Sequence, residues 1–260
     1  MNFPENASQF GDLAPHYDEL MDVVPYNAWV DYIDLLVSLY QHEPQRVLDC
    51  ACGTGNASFE MAMRGWDVVG VDLSREMIDV ANQKAGEAII PPPRFLADDL
   101  TTFDLGEKFD TATCLYDSLN YILDPSDLQR AFTRIREHMH PYGLFVFDMN
   151  SNWAFEADLF TQRNFDTRKN LNYDWVADFD EISRICNVQM TFHKRVLDQV
   201  QTFHETHRER AYTMDEVKTL LRDSGWHLLR SFDAYTLNPP HKHSERWYFV
   251  ARPAESKSSD

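Results

Sequence analysis

The chain has 260 residues, 43% hydrophobic and 25% charged, enough for one large soluble domain or a domain with an insertion. Its 42 acidic residues against 24 basic ones give a net charge of −18. A surface that acidic repels phosphate backbones, which argues against an unassisted nucleic-acid substrate, and Arg208-Glu209-Arg210 is too mixed to form a basic patch. Cys50, Cys52, Cys114 and Cys186 show no disulfide or zinc-ligand pattern; the first two read as small fillers of a tight turn. Met1–Asn6 lacks the basic and apolar regions of a signal peptide, and no apolar run is long enough to span a bilayer. These features predict a cytoplasmic protein with no membrane partner.

In chain order, Tyr26 opens a helix whose apolar stripe is Trp29, Ile33, Leu36 and Tyr40, widened by Tyr32, Leu35 and Leu39. Val47-Leu48-Asp49 is an apolar run feeding the glycine-rich turn Cys50–Asn56, and Val68–Asp72 is a second run ending in an acid. Ser74 caps a helix over Arg75–Ala85 with Met77, Ile78 and Ala81 inward. Pro91-Pro92-Pro93 forbids helix and leads into a short strand, Arg94–Ala97, then Phe109–Tyr116 forms a fourth. Asp124-Pro125 starts a helix with the stripe Leu128, Phe132, Ile135 and Met139. Pro141-Tyr142-Gly143 turns into a fifth strand, Leu144–Asp148.

From Ser151 to Arg210 the pattern changes. Tyr173, Trp175, Ala177 and Phe179 recur at every second residue, and Ile182–His193 and Val200–Arg210 read as two further strands, so three strands form an antiparallel insert. Thr213-Met214-Asp215-Glu216 is a capping box opening a helix that Gly225 stops. Trp226–Ala234 and Arg246–Ala251 are the last two strands, followed by a polar tail at 254–260 that is expected to be disordered. Asn238-Pro239-Pro240, similar to a motif of adenine-methylating DNA enzymes, falls between these strands and reads as a rigid turn.

The segment Val47–Asp72 is a βαβ unit with a nucleoside-sized site at its carboxyl edge. Gly53 and Gly55 let the chain turn tightly and expose bare main chain, and Asp72 is placed to accept hydrogen bonds from a ribose diol. A dinucleotide fingerprint needs a third glycine, absent here, and Asp49 would repel a pyrophosphate but suit an ammonium group. S-adenosylmethionine carries both an adenosine sugar and a cationic amine.

On these residues the chain resembles the class I S-adenosylmethionine-dependent methyltransferases. Their first motif matches Leu48–Gly55, their ribose-binding acid Asp72, their adenine-binding turn Ala97–Leu100, and their fourth-strand motif Phe109–Tyr116. The resemblance implies a Rossmann-like α/β fold: a seven-stranded, mostly parallel sheet with the last strand antiparallel and an antiparallel insert after the fifth strand. Residues 1–150 and 211–253 would form the core with an N-terminal helical segment, and 151–210 a platform or lid. It implies S-adenosylmethionine as cofactor, no metal, and contacts from Tyr17, Asp49, Ala51, Gly53, Gly55, Asp72, Leu73, Met77, Asp98, Asp99, Leu115 and Tyr116. Tyr17 has an ordinary alternative in packing its helix onto the sheet, as Asp99 has in capping a turn.

Glu205–Thr213, leading into a helix, resembles the small-molecule branch that includes bacterial amino-sugar N-methyltransferases. A small polar acceptor, above all an amine, is the expected substrate; a protein or tRNA-bound group, an idle cofactor-binding protein and a nicotinamide dehydrogenase are the rivals. Candidate catalytic groups are Tyr116, Tyr121, His204 and His207, with Asp117, Asn150, His193 and Glu205 nearby in the pattern. Alternation puts His204, Thr206 and Arg208 on one strand face and Glu205, His207 and Glu209 on the other, and one of these faces a wet cavity. The same alternation separates the histidines of His204-Glu205-Thr206-His207, which also miss the zinc-protease spacing by one residue, so no metal site is expected.

Overall fold

Apolar runs that alternate their side chains between two covered faces make the central sheet of the computed structural model, which describes residues 9–88, 91–166, 168–197 and 199–255. Of the expected tail at 254–260, residues 256–260 lie outside the described residues. The strands β1 (Arg46–Cys50), β2 (Asp67–Asp72), β3 (Arg94–Ala97), β4 (Phe109–Cys114), β5 (Met139–Asn150), β10 (Trp226–Asp233) and β11 (Arg246–Pro253) stand in the order β10-β11-β5-β4-β1-β2-β3. β11 alone runs against its neighbours, as the sequence led us to expect; the other pairings across β5-β4-β1-β2-β3 are parallel.

Helices α5 (Pro125–Glu137) and α7 (Met214–Asp223) cover one face, where Leu128, Phe132, Val217 and Leu221 pack on Leu48, Ala112 and Phe147. Helices α2 (Tyr26–Ser38) and α3 (Asn56–Met63) cover the other, with Ile33, Val37 and Met61 on Val47, Val68 and Val146. α4 (Arg75–Glu87) starts on its Ser74 cap, whose side chain accepts the Met77 amide at 3.2 Å.

Two expectations about these elements need correction. Leu35 and Leu39 of α2 are 44% and 46% exposed, whereas Val30 and Val37 are fully buried. At 100° per residue Leu35 and Leu39 lie on the far side of the stripe centred on Ile33, so apolar character alone misassigned the face. The Pro141–Gly143 turn is a bulge inside β5. Phe109 pairs with Met139 but Thr111 with Leu144, so three extra residues loop out of the ladder. A Cβ on Gly143 would come within 2.7 Å of the Asp110 carbonyl oxygen, so the bulge requires glycine.

After β5 and the short helix α6 (Asn152–Glu156) comes a separate antiparallel sheet, β6 (Gln162–Asn164), β7 (Leu171–Asp180), β8 (Ile185–Val196) and β9 (Gln199–Arg210). It has four strands where three were expected, because three-residue β6 carries no periodicity to read. β8 starts at Ile185, not Ile182. Asp180 accepts the Ile182 amide at 2.9 Å and makes a turn there, leaving Ile182 97% exposed. The inner face of this sheet carries Tyr173, Trp175 and Phe179, then Cys186, Val188, Met190 and Phe192, then Phe203, Glu205, His207 and Glu209. Against it pack Phe10, Leu13, Tyr17 and Leu20 from the segment around helix α1 (Tyr17–Leu20).

Candidate active site

The glycine loop is built by left-handed backbone at Ala51 (φ 54°), Gly53 (55°) and Gly55 (80°), pinned by the Cys52 amide on Val71 O at 3.1 Å and the Gly55 amide on Cys52 O at 2.9 Å. A Cβ on Gly55 would stand 2.5 Å from the Phe95 ring, while one on Gly53 would meet nothing within 4 Å. The main chain at Gly53 therefore borders open space, where a ligand can lie on it. Asp72, at the tip of β2, accepts the Gly53 amide at 2.7 Å and the Ser74 amide at 2.9 Å, one on each oxygen. Burial pushes its carboxyl above the usual range and these two amides pull it back. Leu73 beside it is exposed, Met77 and Leu115 are buried beneath, and Asp98 at the end of β3 accepts the Asp99 amide at 2.8 Å. Asp99 accepts the Thr101 amide at 2.8 Å, the turn-capping geometry that was its ordinary alternative.

Asp49 does not line the crevice directly. It is 2% exposed, with one oxygen on the Ser58 hydroxyl and the other on the Thr113 hydroxyl at 2.9 Å. Burial pushes this carboxyl up to about 6, against the pull of the two hydroxyls. A carboxyl whose folded value is raised stabilises the fold below the unfolded value near 4, and that contribution is lost as pH rises through about 6. Asp49→Asn should therefore gain about 2–3 kcal/mol over the parent at pH 8, shrinking to nothing near pH 4. Urea unfolding of both proteins across that range checks it, and a pH-independent difference would refute the assignment.

The segment preceding α2 crosses this mouth. Asp18 accepts the Thr54 hydroxyl at 2.5 Å, the Asn56 amide nitrogen at 2.9 Å and the Lys84 ammonium at 2.7 Å. Tyr26 lies beside Asn56 and Tyr17, and burial holds the Tyr17 hydroxyl well above its ordinary value, so it stays protonated.

The opposite wall forms at the ends of β4 and β5. Tyr116 (φ 62°) and Asp117 (52°) are consecutive left-handed residues without a glycine between them. Each costs about 1–2 kcal/mol and persists only where the surroundings over-determine it. Asp148 does so: its two oxygens accept the Tyr116 amide at 2.7 Å and the Asp117 amide at 2.9 Å. Arg246, at the start of β11, donates to both Asp148 and Asp117, the latter at 2.7 Å, and lies 5.2 Å over the Tyr116 ring. Glu209 of β9 is 3% exposed, accepts the Asn150 amide nitrogen at 3.2 Å and lies close to Asp117. Burial, with Asp117 adding to it, holds Glu209 well above the carboxylate range, and burial pushes Asp117 up to about 6 despite Arg246. Two carboxyls in such contact do not both ionise near neutrality, so the pair holds a proton.

Of the four catalytic candidates, Tyr116, Tyr121 and His207 gather here and His204 does not. The Tyr121 hydroxyl lies 3.0 Å from His207 Nδ1, and His207 Nε2 lies 2.7 Å from Glu205. His204 is on the outer face of the sheet, 3.0 Å from the Thr191 hydroxyl, because strand alternation turns it away from His207; His193 shares that outer face. Sequence reasoning gave no site role to Glu209, Asp148 or Arg246, although it put Asp148 at the functional end of the fifth strand and Glu209 on a face with His207. Their signals were weak: Glu209 sat in a mixed-charge run, and nothing local announces that Arg246 will lie beside the end of β5. Among the described residues no group of three or more His, Cys, Asp or Glu side chains could hold a metal ion.

Comparison with known proteins decides the family. A methyltransferase-domain family model matches residues 47–143. The Bacillus subtilis protein YqeM, itself named a methyltransferase without a stated acceptor, is 33% identical over 246 residues, spanning 92% of this chain and 95% of its own. The chain belongs to the S-adenosylmethionine-dependent methyltransferases. A solved S-adenosylmethionine-dependent methyltransferase from Clostridium acetobutylicum superimposes with a TM-score of 0.84 at 28% identity, covering 95% of this chain and all of that one. A Streptomyces fradiae dTDP-3-amino-3,6-dideoxy-alpha-D-glucopyranose N,N-dimethyltransferase is 29% identical over 54% of this chain and 55% of its own. The methyltransferase uses S-adenosylmethionine, and the bare main chain at Gly53 beside a half-buried acid at the tip of β2 fits its adenosine end.

Proposed function

We propose that this methyltransferase acts on the nitrogen of a small polar amine. The observation that carries the reading is the Asp117–Glu209 carboxyl pair, set with Asp148 around one guanidinium at the acceptor end of the crevice. An acidic wall attracts an ammonium group, and a group that titrates near neutrality suits taking its proton. The sugar-amine dimethyltransferase among the relatives supports the same acceptor class.

In this reading the cofactor is held by Tyr17, Ala51, Gly53, Gly55, Asp72, Leu73, Met77, Asp98, Asp99, Leu115 and Tyr116, with Asp49 acting from beneath through its charge. The sulfonium supplies the electrophilic methyl carbon. The chain's own residues orient the acceptor, exclude water and receive a proton. An N–H bond of the ammonium breaks, an O–H bond forms on the ionised carboxyl of the pair, and the nitrogen lone pair is freed to attack. The Tyr121 hydroxyl, kept protonated by burial, hydrogen-bonds the acceptor, and the four-stranded sheet of residues 151–210 roofs the crevice as a platform. A cytoplasmic site of action belongs to this reading, supported by four free cysteines.

The test offers methyl-labelled S-adenosylmethionine to the purified enzyme with a panel of small amines, their hydroxyl analogues, and fractionated cell extract. Label on an amine nitrogen is expected. Label in protein or tRNA, on the hydroxyl analogues, or nowhere while cofactor binds, would overturn the amine reading in favour of the corresponding rival.

A further inference from the structure

One buried carboxylate, Glu205, makes three hydrogen bonds that lead to both halves of the site. Its two oxygens accept the Phe10 amide at 3.0 Å and the Leu13 amide at 2.8 Å, and the first of these oxygens also takes His207 Nε2 at 2.7 Å. Amides only donate, so Glu205 is acceptor throughout. His207 then carries its hydrogen on Nε2, and its Nδ1 accepts the Tyr121 hydroxyl. That arrangement fixes the direction of the Tyr121 hydroxyl and leaves the oxygen's lone pairs for the crevice. The Phe10 ring seals the cluster, 4.4 Å from His207 and 5.5 Å from Tyr121 between ring centres.

The other two bonds act on the segment that runs on from Phe10 and Leu13 to Tyr17 and Asp18. Asp18 holds the far end of this strap on Thr54, Asn56 and Lys84, at the glycine loop and α4. The strap is thus fastened at two buried or half-buried carboxylates, one from the four-stranded sheet and one of its own. Lys194–Glu19, as shielded as Lys84–Asp18, and the more exposed Lys169–Asp22 are further ion pairs along its length. A groove of about 480 Å³ bordered by Asp18, Met21, Tyr26, Asn56, Phe59 and Lys84 lies on the α3 and α4 side of the strap, bridged by the Asp18 bonds, while Leu13 and Tyr17 pack its other side on the four-stranded sheet.

We propose that Glu205 is a positioning residue for methyl transfer, whose single carboxylate docks the strap over the cofactor and sets the tautomer of His207 behind Tyr121. The inference rests on the crevice being the methyl-transfer site, but not on the acceptor being an amine. Two mutations separate its two arms. Glu205→Gln removes the charge that gathers three donors, and Gln presents a donor of its own to the Phe10 or Leu13 amide. His207→Gln leaves the strap bonds in place.

Calorimetric titration of the full chain with S-adenosylhomocysteine reads the first arm, and nitrogen-15 shifts of the His207 ring read the second. Glu205→Gln should weaken binding about tenfold or more, although none of its hydrogen bonds reaches the glycine loop, while His207→Gln stays within about twofold. The parent's ring should report hydrogen on Nε2, and Glu205→Gln should shift it. Parent-like affinity or an unchanged ring signal in Glu205→Gln would overturn the proposal. Should Glu205→Gln fold poorly, Asp18→Asn releases the strap from its other end. It should cost a similar factor, and parent-like affinity in that variant would overturn the strap account. Because no acceptor is present, failure here is distinct from failure of the amine reading.

Discussion

Asp148→Ala should remove about 3–5 kcal/mol of folding stability, the largest effect expected of any single substitution in the site. Asp148 is fully buried and meets three demands at once. It accepts two backbone amides that hold Tyr116 and Asp117 in left-handed conformations, and it balances the buried guanidinium of Arg246. Without it, Arg246 retains Asp117 alone, and the two left-handed residues lose the contacts that pay for their strain. Asp148→Asn keeps one acceptor and should cost roughly half as much. Urea unfolding of the three proteins decides, and a loss under about 1 kcal/mol for the alanine variant would show that this wall is not supported from β5.

Asp72→Ala should weaken S-adenosylhomocysteine by about 1–3 kcal/mol, or roughly fivefold to 150-fold. The carboxylate has two tasks. It faces the crevice where the ribose diol is expected, and it holds the Gly53 amide at 2.7 Å and so fixes the loop on which the ligand lies. Asp72→Asn separates them, since it keeps a carbonyl for Gly53 but loses the charge, and should fall between parent and alanine. Titration of adenosine alongside locates the loss: if the ribose contact carries it, both ligands weaken equally. Unchanged affinity in the alanine variant would mean the ribose is held elsewhere.

Legibility from the sequence followed the range of the interactions involved. Ser74 capping α4, Asp124 capping α5 and the Thr213–Glu216 box opening α7 are decided by residues within a turn, and each stands where the sequence puts it. The glycine turn and Asp72 were legible for the same reason, since a tight strand-to-helix turn has few sequence solutions. What alternation could not decide was which face of β9 turns inward. Both faces carry polar groups, and the choice depends on Asn150, Asp117 and the strap, far away in sequence. Asp49 was misplaced by similar logic: its type suits an ammonium group, but Ser58 and Thr113 draw it beneath the loop. Arg246 could be assigned to a strand and no further, because its partners lie 98 and 129 residues earlier.

The position of β11 bears on how the molecule is made. It is last in sequence among the described strands, yet it lies between β10 and β5, closing a gap inside the sheet. Until it seats, two strand edges stay unpaired, and such edges invite association with other chains. Loop closure over long separations makes this a late event in folding, so synthesis must run nearly to residue 253 before the sheet can close. Its first residue is Arg246, the cation for Asp117 and Asp148. A nascent or truncated chain lacking β11 therefore lacks the one cation that bonds both Asp117 and Asp148.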